Sequence, residues 1–387
     1  MLSRQFAMCA TESCAEADMS RKKAESLSIL YLIESAGRGG AETVVVALAS
    51  ARGKRARVGS LRTGWMWDRL RESEVRCEAI SYRPRSDLIL AFRIARLIER
   101  TRPDVVHCHC FTMNTAGALG AALAGVPSIG TVHGAIYDLD TRARRLAYRL
   151  AGVFHRRIVT VSKYLSDELF RRAGLPKDKI EAIYNGVPFH EPSANGGAHI
   201  RREFGLDGSD FVIGSVGMLR PEKGHADLID ALALARKRVP RMKLVVVGDG
   251  RCKDDLGRRA RDMGLNGAVR FTSARADVPA MLDAFDVFAL PSHTEGLSIA
   301  TIEAMTQGRP VVVTDCGGPT EIVTHEVTGL VVPPCDAPAM AEALVRMAGD
   351  STLRACLAAN GRARAHDAFS LDRMLRRYDR LYEEVAW

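Results

Sequence analysis

FVIGSVGMLRPEKGHADLIDAL, residues 211–232, packs three things into one short span: an apolar run, a loop carrying Arg220 and Lys223, and a helix opening after Gly224. A short, nearly unbroken apolar run followed by a helix is what a strand covered on both faces looks like. The pattern repeats downstream. KLVVVGDG (243–250), AVRF (268–271), DVFALPS (286–292), RPVVVTD (309–315) and TGLVVP (328–333) are further apolar runs separated by stretches of helical period. This predicts a doubly wound parallel sheet.

A first series of the same kind precedes it. LSILYLI (27–33), the region around 76–80, DVVHC (104–108), PSIGTVH (127–133) and RIVTVS (157–162) read as strands. Between them, LILAFRIARLIER (88–100) places Leu90, Ile94, Leu97 and Ile98 on one helical face. The segment YNGVPFHEPSANGGA (184–198), with Asn-Gly, two prolines and Gly-Gly, reads as the linker and hinge. The expected organisation is a flexible extension over 1–26, Rossmann-like domains over 27–190 and 191–365, and a C-terminal helix over 366–387 that packs back towards the first domain. In open α/β sheets ligands bind beyond the carboxyl ends of the strands, so two such sheets facing each other would form a cleft for two substrates.

Composition is compatible with two ordinary cores. The 387 residues are 47% hydrophobic and 26% charged, close to the average for globular domains. Nine cysteines without C-x-x-C spacing suit a reducing compartment. The N-terminal residues lack the apolar run of a signal peptide, and no stretch is long enough to span a bilayer. A cytoplasmic protein is expected. Charge is uneven: residues 1–185 carry 30 Lys+Arg against 19 Asp+Glu, whereas residues 186–387 carry 25 against 27. A basic half suggests an anionic partner. Sparse aromatics and the lack of a nucleic-acid motif argue against nucleic acid.

Several segments could carry chemistry. ESAGRGGAE (34–42) follows a strand and opens a helix, so backbone N–H groups around Gly39 and Gly40 can meet an anionic group; a plain glycine turn is the alternative. It is not a dinucleotide fingerprint, because Glu42 stands where the third glycine belongs. Arg220 and Lys223 at a strand's carboxyl end can neutralise a diphosphate leaving group, or they can be two solvated loop charges. PSHTEGLSIATIEAM (291–305) sets Glu295 at a strand end and Glu303 just over two helical turns later, on the same face. One carboxylate can meet sugar hydroxyls and the other ribose hydroxyls, while the N–H groups of Leu297, Ser298 and Ile299 face phosphate oxygens. The alternative, two surface glutamates, fits poorly with Ile302, Ala304 and Met305 around Glu303. HCHC (107–110) alternates its histidines and cysteines across a strand, so the four cannot converge on one ion. His133, after another strand, is either structural or functional.

Taken together, GGAE (39–42), TVHG (131–134), VSKY (161–164), YNGV (184–187), GMLRPEKG (217–224), VVGDG (246–250), the Glu295-x7-Glu303 segment and TGLVVPP (328–334) resemble glycosyltransferase family 4 in order and spacing from 27 to about 365. The resemblance implies the GT-B fold, a nucleotide-diphosphate sugar held mainly by the second domain, and transfer with retention of anomeric configuration without a metal or other cofactor. It implies that Lys223 contacts the donor phosphates, Glu295 the transferred sugar and Glu303 the ribose, with Gly296, Leu297, Ser298 and Ile299 in the donor loop. His133 would lie beside the sugar, and Gly39 and Gly40 would approach the reaction centre. One departure stands out. Where the family often has arginine directly after the loop glycine, this chain has Met218, and Arg220 would take over that charge.

The expected activity is transfer of a hexose-type sugar to a lipid-linked or polysaccharide acceptor in cell-surface glycan synthesis. A non-hydrolysing nucleotide-sugar epimerase and a non-catalytic nucleotide-sugar or nucleic-acid binding protein are the alternatives. RARRLAYRLAGVFHRR (142–157) aligns Leu146, Leu150, Val153 and Phe154 along one helical face flanked by arginines. It reads either as an ordinary sheet-covering helix or as a contact with an anionic membrane surface, which would place the enzyme peripherally at the inner face.

Overall fold

The computed structural model describes residues 26–82, 89–134, 139–191 and 196–387; the 1–26 extension lies almost wholly outside them. The chain divides into two compact units. The first comprises residues up to 161, 165–184 and 371–387, and the second comprises 162–164 and 185–370.

The first unit is a seven-stranded sheet in the order β3-β2-β1-β4-β5-β6-β7. Its strands are β1 Ile29–Ile33, β2 Ala56–Ser60, β3 Arg76–Ala79, β4 Val105–His109, β5 Ser128–Val132, β6 Arg157–Thr160 and β7 Ile180–Ala182. Every pairing is parallel. All five residues of β1, β4 and β5 are buried, as strands covered on both faces must be. The helix Leu90–Thr101 buries Leu90, Ile94, Leu97 and Ile98 against β1 and β4. β2 and β7 are not among the expected strands. β2, ARVGS, has only two apolar side chains, because Gly59 is needed where a Cβ would sit 2.9 Å from Leu32 and 3.0 Å from Ile80. β7 is a three-residue edge strand, IEA, too short for any periodicity to register. The last helix, Leu371–Ala386, packs in this unit through buried Met374, Tyr378, Leu381 and Tyr382. Ion pairs Arg52–Asp379 and Arg157–Glu384, and Arg377–Glu181 at 2.6 Å, secure it.

The second unit is a six-stranded parallel sheet, β10-β9-β8-β11-β12-β13. Its strands are β8 Phe211–Val216, β9 Met242–Val247, β10 Val269–Thr272, β11 Val287–Leu290, β12 Val311–Thr314 and β13 Leu330–Val332, each inside an expected apolar run or within one residue of its end. Leu228, Leu232, Leu244, Val246, Val312, Met340 and Leu344 belong to one continuous core. Both units are Rossmann-like α/β sheets, and each has one place where strand order reverses: between β1 and β4, and between β8 and β11. Loops leaving those neighbouring strands diverge and open a crevice, which makes them the places to look for ligands.

Candidate functional site

In the second unit, the loop after β8 and the loop after β11 meet at the reversal point. The loop after β8 tightens into a 3₁₀ turn, Pro221–Lys223, and Gly224 then takes φ 65°. Only glycine fits there, since a Cβ would lie 1.9 Å from the carbonyl oxygen of Pro291. His293 N–H donates to the Glu222 carbonyl at 2.8 Å, fastening one loop to the other. That closeness brings Lys223 Nζ to 2.5 Å from Glu295 Oε2, although 72 positions separate them in sequence. Both side chains are largely but not wholly covered.

Glu295 is held from a third side. Its N–H donates to the Cys316 carbonyl at 3.3 Å, and its carbonyl accepts from Gly318 N–H at 3.1 Å. Two glycines permit this: a Cβ on Gly318 would sit 1.8 Å from the Gly296 carbonyl oxygen, and one on Gly317 would meet the ring of Tyr164 at 2.5 Å. Glu321 in the adjoining helical turn accepts from the N–H groups of Lys163 and Tyr164 at 2.9 and 2.7 Å. Gly317, Gly318 and Glu321 are absent from the sequence-based set. Gly-Gly-Pro directly after an apolar strand is the signal that marks them.

Ser298 caps the helix Ile299–Thr306, its hydroxyl accepting from the Thr301 N–H at 3.2 Å. Among the described residues, no hydrogen-bond acceptor meets the N–H groups of Leu297, Ser298 or Ile299, which stand at the positive end of the helix dipole. Gly296 and Leu297 are buried beneath them. Glu303, one turn further along, is partly covered, and among the described residues no donor reaches its carboxylate. Burial pushes its carboxyl up to about 7. Arg220 is about half exposed and only loosely paired with Glu222, at 3.9 Å, so it is free to move towards an anion.

In the first unit, Gly39 caps the helix Gly40–Arg52 in extended conformation. Its carbonyl accepts from both the N–H and the hydroxyl of Thr43 at 2.9 Å. The Glu42 carboxylate folds back over Gly39, where a Cβ would touch it at 2.4 Å. Across the reversal point, Glu34 accepts from the Thr112 N–H at 2.5 Å. His133, just beyond β5, is bonded to His109 of β4: Nε2 and Nδ1 lie 2.8 Å apart and the rings stack. Burial pushes His133 down to about 4 and His109 well below its usual range, so both imidazoles are neutral at physiological pH. The remaining ring nitrogens, His133 Nδ1 and His109 Nε2, are buried without partners among the described residues. His107 packs against His109 with ring centroids 4.0 Å apart and is bonded to Tyr382 and Thr131, both at 2.7 Å. His109 was not singled out from sequence as a partner of His133. Cys108 lies on the opposite face, buried against Gly117.

The helix Arg142–Phe154 buries Tyr148, Ala151 and Gly152. Leu146, Leu150, Val153 and Phe154 point outward, 57%, 54%, 67% and 46% exposed. The apolar stripe is therefore a second face, not the one that covers the sheet. Among the described residues no helix is long and apolar enough to cross a membrane.

Comparison with known proteins agrees with this architecture. The family profile described as Glycosyltransferase Family 4 matches residues 27–191, and that described as Glycosyl transferases group 1 matches 198–364. The chain is 29% identical to the Escherichia coli UDP-Gal:alpha-D-GlcNAc-diphosphoundecaprenol alpha-1,3-galactosyltransferase, over 78% of this chain and 80% of that protein. It is 30% identical to the D-inositol 3-phosphate glycosyltransferase of Actinosynnema mirum, over 70% of each. Among solved structures, Anabaena HepE in complex with UDP and glucose superposes with a TM-score of 0.86 at 25% identity, covering 92% of this chain and 99% of that one.

Proposed function

The chain belongs to glycosyltransferase family 4, with the GT-B fold, and on that footing we propose that it is a retaining hexosyltransferase using a nucleotide-diphosphate sugar and a lipid-linked or polysaccharide acceptor. What carries the donor assignment is the set of groups that have no partners among the described residues at the second unit's reversal point: three N–H groups and the Glu303 carboxylate, beside the Lys223–Glu295 pair. The N–H groups and Lys223 suit a diphosphate. An ammonium has three donors, and Glu295 takes one. Glu303 suits a ribose diol, whose two hydroxyls would supply the donors it lacks. Glu295 orients the sugar.

The step is a front-face displacement. The acceptor oxygen bonds to the anomeric carbon on the side from which the diphosphate departs, the carbon–oxygen bond to phosphate breaks, and the acceptor's proton passes to the leaving phosphate. Negative charge grows on that phosphate, so preorganised donors there are the protein's main contribution. Cationic side chains and helix N–H groups take the place of a metal ion. His133, neutral, serves as a hydrogen-bonding group towards substrate hydroxyls. The relative with UDP and glucose bound makes UDP-hexoses the first donors to test.

The exposed stripe on Arg142–Phe154 supports peripheral attachment at the inner face of the membrane, where a lipid-linked acceptor is presented. Among the described residues, the side chains of Arg142, Arg149 and Arg156 have no ion-pair partner, so they are available to anionic headgroups. The deciding experiment is incubation with UDP-, GDP- and ADP-hexoses, with and without a polyprenyl-diphosphate-sugar acceptor, and NMR of the new anomeric linkage. An α-linked product from an α-linked donor is expected. Inversion overturns the mechanism, and epimerised donor without acceptor returns the epimerase reading.

A further inference from the structure

We infer that Asp227, His293 and Cys335 of the second unit form a binding site for a thiophilic divalent cation of the zinc class. One ligand atom from each lies within 4.8 Å of the other two, and among the described residues these are the three His, Cys, Asp or Glu side chains that come together in this way. They arrive from three loops: the helix start after β8, the loop after β11 and the loop after β13.

The supports are already in place without an ion. Asp227 sits in the first turn of the helix His225–Ala235, its N–H bonded to the Gly224 carbonyl at 3.0 Å. His293 is fixed by its N–H bond to Glu222, and its Nε2 meets Asp227 Oδ2 at 2.6 Å. The close approach of Gly224 to Pro291 locks these two loops together, so two ligands are ordered before any ion binds. Cys335 follows Pro333-Pro334 and has φ 57°, the left-handed region that favours glycine. The next residue, Asp336, caps the helix Ala337–Gly349 by accepting from the Ala339 N–H at 2.9 Å. The thiol is free and exposed. Arg259 lies near enough to interact with Asp227, but Asp230 holds its guanidinium at 2.6 Å through Nε and at 2.5 Å through Nη2.

The donor set selects the ion. Calcium and magnesium require oxygen ligands throughout. One imidazole nitrogen, one thiolate sulfur and one carboxylate oxygen match zinc or cobalt, with solvent in the fourth tetrahedral position. Binding expels the Cys335 thiol proton, and the Asp227–His293 hydrogen bond is exchanged for two coordinate bonds. A dication with one thiolate and one carboxylate is electrically neutral, so the site needs no further counter-charge. The ion would tie the start of the His225 helix to the loop that carries Glu295 without using any donor-site residue. This inference stands independently of the transferase mechanism.

The test is cobalt titration of the reduced, chelator-stripped full-length protein under anaerobic conditions. A thiolate-to-cobalt charge-transfer band in the near ultraviolet is expected to saturate at one equivalent and to be displaced by zinc. Cys335→Ser should lose it. His293→Gln should weaken cobalt binding by at least about tenfold, the scale on which even outer-sphere partners act. Zinc should also raise the melting temperature of the parent protein but not of Cys335→Ser, with far-ultraviolet circular dichroism verifying that both fold. A band that persists in Cys335→Ser, or no band in the parent protein, overturns the site.

Discussion

Replacing Glu303 by glutamine should make the protein more stable and a poorer enzyme, for the same reason. Burial lifts this carboxyl from its ordinary 4.5 to about 7, and a gap of that size corresponds to about 3 kcal/mol. The sign follows from proton counting. Between those two pH values the folded protein keeps a proton that the unfolded chain has released, so stability falls as pH rises through the window. Well below 4.5 nothing is lost; above 7 the folded protein bears the whole cost of an ionised, partnerless carboxylate. Glutamine cannot ionise and removes the dependence. In a unit of this size 1 kcal/mol moves the melting temperature by about 2–4 °C, so Glu303→Gln should melt roughly 5–10 °C higher at pH 8 and almost unchanged at pH 4.5. Calorimetry of both proteins at the two pH values decides it.

Donor binding should move the opposite way. A ribose diol supplies hydrogen bonds to the ionised carboxylate, so donor KM should rise as pH falls below about 7, by up to about tenfold per pH unit. His133, held near 4, stays neutral through this range and does not contribute. Glu303→Gln should flatten the limb and raise donor KM. If the melting temperatures of the two proteins run parallel across pH, or if the KM limb survives the substitution, the assignment of Glu303 fails.

Lys223→Ala should lower turnover about ten- to a hundredfold, the scale of one charge-assisted hydrogen bond realised in the transition state; steady-state rates equal to the parent's would remove it from the site. Activity should survive EDTA, tested in Cys335→Ser so that the inferred cation site is already broken; loss restored by magnesium or manganese refutes metal independence. Gly214→Ala should destabilise the second unit by about 3 kcal/mol or more, because the new methyl would fall 1.8 Å from the ring of Phe285; denaturant unfolding measures it. Flotation with liposomes should show binding that needs anionic lipid, falls with salt and weakens in Arg142→Gln/Arg149→Gln/Arg156→Gln; equal binding to neutral vesicles, or none to either, leaves a soluble acceptor.

Legibility in the sequence followed side-chain chemistry. Runs such as VVVT in β12 announce a buried parallel strand because both faces must be apolar. β2 escaped because what its position demands at Gly59 is the absence of a side chain, and absence has no hydrophobic signal. The same limit applies at the site. Residue types and strand ends pointed to Lys223, Glu295 and Glu303, yet the 2.5 Å pairing depends on Gly224 letting one loop approach another, and glycine spacing alone does not say what approaches. Nor can a period of 3.6 tell inward from outward: Leu146, Leu150, Val153 and Phe154 were visible as a face, but only the packing of Tyr148, Ala151 and Gly152 showed that the face is exposed.

The two reversal points share a geometry and differ in electrostatics, and that difference bears on the proposed division of labour. At the second, a lysine stands with a helix N-terminus whose leading N–H groups meet no acceptor among the described residues, an arrangement suited to negative charge. At the first, the end of β4 and the residue just beyond β5 carry imidazoles that burial keeps neutral, joined so that one ring's tautomer sets the other's. If the His109 Nδ1–H donates, His133 Nδ1 carries the proton; if the bond runs the other way, that nitrogen is an acceptor. Such a pair can receive or offer a hydrogen bond without adding charge. His109→Ala should therefore alter His133 Nδ1 protonation, read from nitrogen chemical shifts, while leaving nucleoside-diphosphate affinity unchanged; a variant that loses diphosphate binding instead would show that the histidines support the donor site.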